Sequence, residues 1–173
     1  YIYKMKFNNE IGYDIAKQLI DVASNSGADV VKFQTFNANR QVTRTAKKAD
    51  YQDQTSDKRE SQYAMLRRLE LNEVMHHELI DHCAKRNIGF LSTGFDIKSI
   101  DLLVNLGQKC FKIPSGEITN LPYLRHIGQL GKKIILSTGM SNMSEIKAAI
   151  EILEHAGTSR TKVTILHCTS EYP

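Results

Sequence analysis

The chain has 173 residues, of which 41% are hydrophobic and 24% charged, an ordinary composition for a globular domain. Its formal net charge of +4 suits small anionic substrates and gives no indication of nucleic acid binding. The three cysteines, Cys83, Cys110 and Cys168, form no CxxC pair and no metal-ligand spacing, which argues against a disulfide framework and a structural zinc site. Since no signal-peptide pattern and no run of eighteen apolar residues occurs, we expect a soluble cytoplasmic protein without membrane contact.

Helices and strands are predicted to alternate from about residue 14. Up to residue 92 the predicted elements are a helix at 14–24, a strand at 29–34, a long loop at 37–60, a helical stretch at 61–85 broken near Asn72, and a strand at 88–92. Ile15, Leu19 and Val22 share one stripe of the first helix, and Gly27 ends it. The polar loop is too long for a plain connection, which favours a functional or mobile segment.

The second half of the chain continues the alternation. Its predicted elements are a helix ending before Gly107, a strand at 109–113, a helix capped by Asn120 and closed by Gly131, a strand at 133–136, a helix behind Asn142 that Gly157 ends, and a strand at 163–167. Asn142 followed by Glu145 is the pattern of a capping box. The sequence therefore predicts five strands separated by helices.

Strict alternation of this kind predicts a parallel sheet, either doubly wound and open or closed as a (β/α)8 barrel. The chain has no GxGxxG and no Walker A loop, which weakens the nucleotide-binding open sheets. Polar residues instead follow strand after strand, and barrel enzymes build their active sites at those strand ends. The polar strand-end residues are Lys32 and Gln34, Ser92 and Thr93, Lys112 and Ser115, Ser137 and Thr138, and His167 and Thr169. Their distribution favours the barrel.

Two lysines stand inside apolar strands, Lys32 and Lys112. An ammonium group is costly to bury unless it is paired, although either lysine alone could reach solvent along its own stem. Because both occupy equivalent strand ends and are followed by hydroxyl groups, the pair favours an anion site.

The segment KIPSGE, 112–117, is the densest in functional groups. Lys112 offers a charge for a phosphate or carboxylate, Ser115 a hydroxyl, and Gly116 close approach of backbone to a ligand. Glu117 would couple its ionisation to a bound anion, or would simply serve the next helix N-terminus. The turn STGM, 137–140, offers further hydroxyls and amides for phosphate oxygens, but a plain turn is equally compatible with it.

The remaining candidates are interpreted as structural. His167 ends the last strand, where an acid/base role is conceivable, but a lone histidine there is more typical of a hydrogen-bonded core residue. All three cysteines are interpreted in the same way, and His82 and His126 are expected on helix surfaces.

Together these segments resemble the N-acetylneuraminate (sialic acid) synthase family, over nearly all of residues 14–173. The motifs that carry the resemblance are GADVVKFQTF (27–36), FLST (90–93), FKIPSGEITNLPYL (111–124), ILSTGM (135–140) and LHCTSEYP (166–173). The resemblance implies a (β/α)8 barrel in which strands 2–6 are recognisable, forming one partial barrel domain over 1–173.

The resemblance also implies an activity. Such enzymes condense phosphoenolpyruvate with N-acetylmannosamine, or a related acylamino hexose, to a nonulosonic acid and phosphate, breaking the C–O bond of phosphoenolpyruvate. A divalent metal, Mn²⁺ or Mg²⁺, activates the sugar aldehyde, and the enzymes are homodimers. The residues carried over are Lys32, Thr93, Lys112, Ser115 and Ser137 for phosphoenolpyruvate, Gln34, Glu117 and Tyr172 for the sugar, and Glu117 with Glu10 for catalysis.

The sequence departs from the family pattern at both ends. The family's Asn-His-Asn-Gly-like turn after the first strand is absent, so Glu10 takes the acidic strand-end role only by its position in Glu10-Ile11-Gly12. The metal-ligating histidines and the small antifreeze-like domain of the family are expected beyond residue 173. On this basis the chain alone is expected to hold no metal and to be inactive.

Three alternatives stay open at this point. One is a synthase of 3-deoxy sugar acid phosphates on a similar barrel. A second is a legionaminate or pseudaminate synthase, because the core motifs hardly discriminate among nonulosonate synthases. A third, of a different class, is an inactive barrel fragment that only binds a ligand or a partner.

Overall fold

The structure, a computed structural model, describes residues 11–48 and 60–169, which fall into two compact units divided between Leu91 and Ser92. In chain order the elements are α1 (Ile11–Asn25), β1 (Val30–Thr35), α2 (Ala38–Gln41), α3 (Gln62–Arg67), α4 (Glu73–Lys85), β2 (Gly89–Gly94), α5 (Ile97–Asn105), β3 (Cys110–Ile113), α6 (Leu121–Gln129), β4 (Lys133–Ser137), α7 (Met143–Ala156) and β5 (Val163–Leu166). Short 3₁₀ turns occupy Ser115–Glu117 and Arg160–Lys162. No helix of the described part reaches the length and apolarity that crossing a membrane requires.

The core of the first unit lies between β1 and the helices α1 and α4. Its buried members are Ala16, Ile20, Phe33, Leu79, Cys83 and Ile88. Phe33 stacks on Phe90 with ring centroids 5.4 Å apart. Since successive residues of a strand point to opposite faces, Lys32 and Gln34 lie on the face of β1 opposite Phe33.

The helical stretch predicted over 61–85 is interrupted as expected. Asn72 caps α4, and its side chain accepts a hydrogen bond of 2.9 Å from the backbone N–H of Met75. An asparagine side chain in this position satisfies an N–H group that has no partner inside the helix. The break near Asn72 is therefore confirmed.

The loop prediction for 37–60 is wrong at its beginning. Residues 38–41 form the short helix α2, whereas 42–48 carry neither helix nor strand. Asn37 accepts a hydrogen bond from the N–H of Asn39, and the Glu70 carboxylate accepts one of 2.6 Å from the N–H of Ala38. These two acceptors satisfy donors at the start of a helix too short to be stable alone.

Strands β3, β4 and β5 of the second unit form a parallel sheet in that order. Lys112 is aligned with Ile135, and Ile135 with Thr164, so these three residues share one face. The opposite face carries Phe111 and Ile134, each 1% exposed. Lys112 therefore lies on the face of the sheet opposite these buried apolar side chains.

The helices of the second unit carry the apolar stripes that the sequence predicts. Ile100, Leu103, Leu124, Ile127 and Leu153 are at most 1% exposed. Asn120 caps α6, and the capping box of Asn142 and Glu145 opens α7. These local predictions are confirmed.

Candidate functional site

Side chains that follow β3, β4 and β5 come together in the second unit. The Ser115 hydroxyl accepts a hydrogen bond of 3.0 Å from the backbone N–H of Gly139 and lies 3.5 Å from the Cys168 sulfur. Because the amide already donates to Ser115, the serine proton is available for donation to the sulfur. Lys112, Ser115, Ser137 and Cys168, with the N–H of Gly139, are here named the strand-end cluster.

Lys112 supplies the positive charge of the strand-end cluster. It is partly buried, and burial lowers its pKa, while the charge of the Cys168 thiolate opposes this shift. Among residues 11–48 and 60–169 no carboxylate forms an ion pair with Lys112. A partly buried ammonium without a carboxylate is the arrangement expected of a site that binds an anion.

The Cys168 thiol is the acidic group of the strand-end cluster. Its pKa is lowered, first by the hydrogen bond with Ser115 and further by the backbone N–H groups of Gly139 and Thr138 and by the Ser137 hydroxyl. All of these groups stabilise negative charge at one point. The sulfur therefore carries negative charge more readily than an ordinary thiol.

The turn after β4 adopts an unusual backbone conformation. Met140 has φ +61°, in the left-handed region that residues other than glycine rarely occupy. Its side chain is 82% exposed, so packing of the side chain does not explain this conformation. Strained residues of this kind concentrate at functional sites, and here the strained residue directly follows Gly139, whose N–H meets Ser115.

Thr93, near the end of β2, carries a buried hydroxyl. It is 1% exposed, and its oxygen has no hydrogen-bond partner within the described part of the chain. An unpaired buried hydroxyl costs about 1–3 kcal/mol. Thr93 is thus the kind of residue whose partner is a ligand.

Glu117 lies in the 3₁₀ turn that follows Ser115. Its carboxylate accepts a hydrogen bond of 2.6 Å from the Asn120 side chain, and Asn120 in turn caps α6. Glu117 therefore supports the capping residue from outside the helix and does not cap the helix itself. This hydrogen bond orients the Glu117 carboxylate. In the sequence, Glu117 follows Ser115 of the strand-end cluster by two residues.

The first unit holds Lys32 and Gln34, both partly buried on β1. The next residue, Thr35, lies 2.7 Å from Nε2 of the buried His76. The other ring nitrogen of His76 lies 2.8 Å from the carbonyl oxygen of Asn72. Because a carbonyl only accepts, Nδ1 carries the proton and Nε2 accepts from the Thr35 hydroxyl, which anchors the C-terminal end of β1.

Four sequence interpretations need comment. Glu10 and Tyr172 lie outside the described residues, so their roles stay predictions. Cys168 was interpreted as structural, and its sulfur lies in the strand-end cluster, 3.5 Å from the Ser115 hydroxyl. His167 was expected to be a hydrogen-bonded core residue, and it is exposed instead, because it follows β5, the edge strand of the sheet, where Ile165 and Leu166 are exposed as well.

The same residues also decide whether this part of the chain can hold a metal ion. Within 11–48 and 60–169, no group of three His, Cys, Asp or Glu side chains converges as a metal site would require. The strand-end cluster, with one cation and several hydrogen-bond donors, suits an anion. The described residues alone do not fit a metal centre.

Parallel strands joined by helices, with polar side chains at the strand ends, are typical of a protein of the α/β-barrel type. The protein-family comparison agrees, since residues 19–173 match the model of the NeuB family. The chain belongs to the NeuB family.

Individual relatives are similar over nearly the whole chain. The N,N'-diacetyllegionaminic acid synthase of Campylobacter jejuni is 55% identical over 96% of this chain and 50% of its own length. The enzyme of the same name from Legionella pneumophila is 45% identical over 96% of this chain and 47% of its own. The chain thus spans about half the length of these curated relatives.

A solved structure supports the fold directly. The N-acetylneuraminic acid (sialic acid) synthetase of Leptospira borgpetersenii, solved in complex with citrate, superimposes with a TM-score of 0.76 at 27% identity. The match covers 93% of this chain and 50% of that one. The predicted fold class, an α/β fold of the TIM-barrel type, is confirmed.

Proposed function

We propose that the protein condenses phosphoenolpyruvate with an acylamino hexose to give a nonulosonic acid and inorganic phosphate. The observation that carries the proposal is Lys112, a partly buried ammonium without a carboxylate partner in the described residues, beside Ser115 and Ser137. Membership of the NeuB family and similarity to two legionaminic acid synthases support it.

The residues divide into two groups by the part of the reaction they would serve. Cations and hydroxyls would hold phosphoenolpyruvate, because they balance the charge of a phosphate and a carboxylate. Carboxylate, amide and phenol groups would hold the polyhydroxy sugar. The first group is Lys32, Thr93, Lys112, Ser115 and Ser137, and the second is Gln34, Glu117 and Tyr172, with Glu117 and Glu10 as candidate acid/base groups.

The proposed chemistry forms one C–C bond and breaks one C–O bond. C3 of phosphoenolpyruvate attacks the sugar aldehyde carbon, which leaves positive charge on C2, and the aldehyde oxygen takes a proton. Water adds to C2 and loses one proton, and the resulting hydroxyl becomes the C2 carbonyl as phosphate leaves with its bridging oxygen and takes up the hydroxyl proton. Lys112 and the hydroxyls of the strand-end cluster would stabilise negative charge on the departing phosphate.

A divalent metal, Mn²⁺ or Mg²⁺, belongs to the proposal as a Lewis acid that polarises the sugar aldehyde. Since residues 11–48 and 60–169 do not form a metal site by themselves, no residue of this part is assigned as a ligand. The roles of Lys112, Ser115 and Glu117 are independent of that assignment.

The favoured sugar follows from the relatives. Both legionaminic acid synthases make a product with two acetyl groups on nitrogen, as its name states. Removal of the three carbons of phosphoenolpyruvate from a nine-carbon acid leaves a six-carbon sugar. We therefore propose a diacetamido hexose as the preferred substrate, ahead of N-acetylmannosamine.

A substrate panel tests this function on the complete protein, including any sequence beyond these 173 residues. Phosphate release from phosphoenolpyruvate is measured with Mn²⁺ and, in turn, a diacetamido hexose, N-acetylmannosamine, arabinose 5-phosphate or erythrose 4-phosphate. We expect release with the diacetamido sugar, with a larger kcat/KM than for N-acetylmannosamine.

The outcomes separate the open alternatives. Turnover only with a sugar phosphate would replace the proposal by a 3-deoxy sugar acid phosphate synthase. Binding of phosphoenolpyruvate without release with any sugar would indicate a binding protein. A preference for N-acetylmannosamine would retain the reaction and change the sugar.

A further inference from the structure

Thr93, near the end of β2, lies between Ser92 and Gly94. The backbone of each of these two neighbours is hydrogen-bonded by a side chain from elsewhere in the second unit. Thr93 itself is 1% exposed, and its hydroxyl has no partner among the described residues. A β-carbon added at the neighbouring Gly94 would lie 3.1 Å from Cγ1 of Ile100 in α5. Side chains alternate along a strand, so Thr93 points away from α5, to the other face of β2.

Gln108 fixes the position before Thr93. The backbone N–H of Ser92 donates to Oε1 of Gln108 over 2.7 Å, and Nε2 of Gln108 donates to the carbonyl of Ser92 over 2.9 Å. Among the described strands β2 pairs with β1 and β3 pairs with β4. The Gln108 amide thus makes the pair of bonds to Ser92 that a neighbouring strand would otherwise make.

Tyr123 fixes the position after Thr93. Its hydroxyl donates a hydrogen bond of 2.5 Å to the carbonyl oxygen of Gly94, and the side chain is 2% exposed in α6. Burial is the main cause that raises the pKa of Tyr123, so the phenol keeps the proton that it donates. Neither Gln108 nor Tyr123 is among the residues that the sequence or the strand-end cluster assigned to a ligand.

We propose that Gln108 and Tyr123 are positioning residues that hold the Thr93 hydroxyl toward bound phosphoenolpyruvate. The proposal rests on the proposed function, because it names Thr93 as a ligand of the same anion. Gln108 and Tyr123 would not contact the anion themselves. They would affect the affinity for phosphoenolpyruvate only through the position of the Thr93 hydroxyl. A buried hydroxyl that is held in place in advance binds without a further loss of rotational freedom.

A double-mutant cycle tests the proposal, with the dissociation constant of phosphoenolpyruvate measured by calorimetry. The variants are Thr93→Val, Gln108→Leu and the double variant, and Tyr123→Phe alone and with Thr93→Val. We expect each single change to weaken binding about tenfold, the effect of losing roughly one hydrogen bond. Gln108→Leu and Tyr123→Phe should cause no further weakening once Thr93 is valine.

Two controls separate positioning from a general loss of structure. Gln129→Leu replaces an exposed glutamine of α6 and should leave the dissociation constant unchanged. Urea unfolding should show that Gln108→Leu lowers the free energy of unfolding by the same amount in the wild type and in Thr93→Val. Tyr123→Phe keeps the aromatic ring and provides a variant that folds if Gln108→Leu does not.

The outcomes also distinguish this proposal from the function on which it rests. The positioning role is overturned if the Gln108 and Tyr123 variants bind phosphoenolpyruvate as the wild type does, or if their effects add in full to that of Thr93→Val. An unchanged affinity in Thr93→Val overturns it as well. Absence of binding by the wild type, or wild-type affinity in Lys112→Ala, would instead overturn the proposed function.

Discussion

At the scale of single residues, the strand-end cluster was predictable in part. Lys112 and Ser115 were candidates from charge and strand position, whereas Ser137 was assigned to a ligand only by the family resemblance. Cys168 was not predicted to join them. Ser137 is aligned with Leu166, and Cys168, two residues after Leu166, points to the same side of the chain. The register of β4 against β5 was needed for that prediction, and one sequence does not give the register of non-neighbouring residues.

The position of Cys168 predicts a selective reaction with iodoacetamide. Hydrogen bonds lower its pKa, Ser115 contributing most, whereas burial raises the pKa of Cys83 to about 11. Because only the thiolate reacts, we expect Cys168 to be alkylated at least about tenfold faster than Cys83 at pH 7.5. Peptide mass spectrometry after timed quenching measures both rates in the same sample.

Protection by a ligand links this reactivity to the anion site. Phosphoenolpyruvate should slow alkylation of Cys168 in the wild type and leave it unchanged in Lys112→Ala, which lacks the cation. Cys168→Ser should remove the fast-labelled peptide. Equal rates for Cys168 and Cys83 would contradict the stabilised thiolate, and protection that persists in Lys112→Ala would place the anion elsewhere.

At the scale of elements, capping residues gave reliable boundaries because their hydrogen bonds are local. Asn72, Asn120 and Asn142 each begin a helix as expected. Helix α2 was not predicted because the residue that stabilises its start is distant in sequence: the Glu70 carboxylate accepts a hydrogen bond from the N–H of Ala38. A four-residue helix has no periodicity of its own to detect.

The contact of α4 with β1 predicts a pH-dependent stability. Burial is the main cause that lowers the pKa of His76, so the unfolded chain binds the proton more readily than the folded one. The stabilisation is therefore complete above the unfolded pKa of about 6.5 and is lost as the pH falls below it. Acidification below that pH should therefore lower the free energy of unfolding through this one group.

Urea unfolding between pH 7.5 and 5.0 measures this contribution. His76→Gln should be less stable at pH 7.5, because it loses the fit to Thr35 and Asn72, but its stability should fall less steeply with acid. His155→Gln is the control, since His155 is an exposed histidine of α7 and does not contribute to the shift in the pKa of His76. If His76→Gln and the wild type lose stability in parallel, His76 is not the group that titrates.

At the scale of the whole molecule, the fold class was predictable because it follows from the regular alternation of helices and strands along the chain. Helices alternating with apolar strands predict parallel pairing, and polar residues after several strands predict where a site forms. The contacts of Gln108 with Ser92 and of Tyr123 with Gly94 were not predictable, because packing brings these residues together over 16 and 29 positions. The nature of the anion came from family resemblance, since a lysine and hydroxyls fit any small phosphate or carboxylate.

The fate of one oxygen atom tests the proposed reaction of the complete protein. Phosphoenolpyruvate labelled with ¹⁸O between C2 and phosphorus is converted in the presence of the diacetamido sugar. Since the strand-end cluster would stabilise phosphate as a leaving group, we expect C–O cleavage and retention of the label in inorganic phosphate, seen as an isotope shift in ³¹P NMR. A phosphatase acting on the same compound breaks the P–O bond and gives the unlabelled reference signal. Unlabelled phosphate from the protein would show attack at phosphorus, and Lys112 would then stabilise a phosphoryl group under transfer.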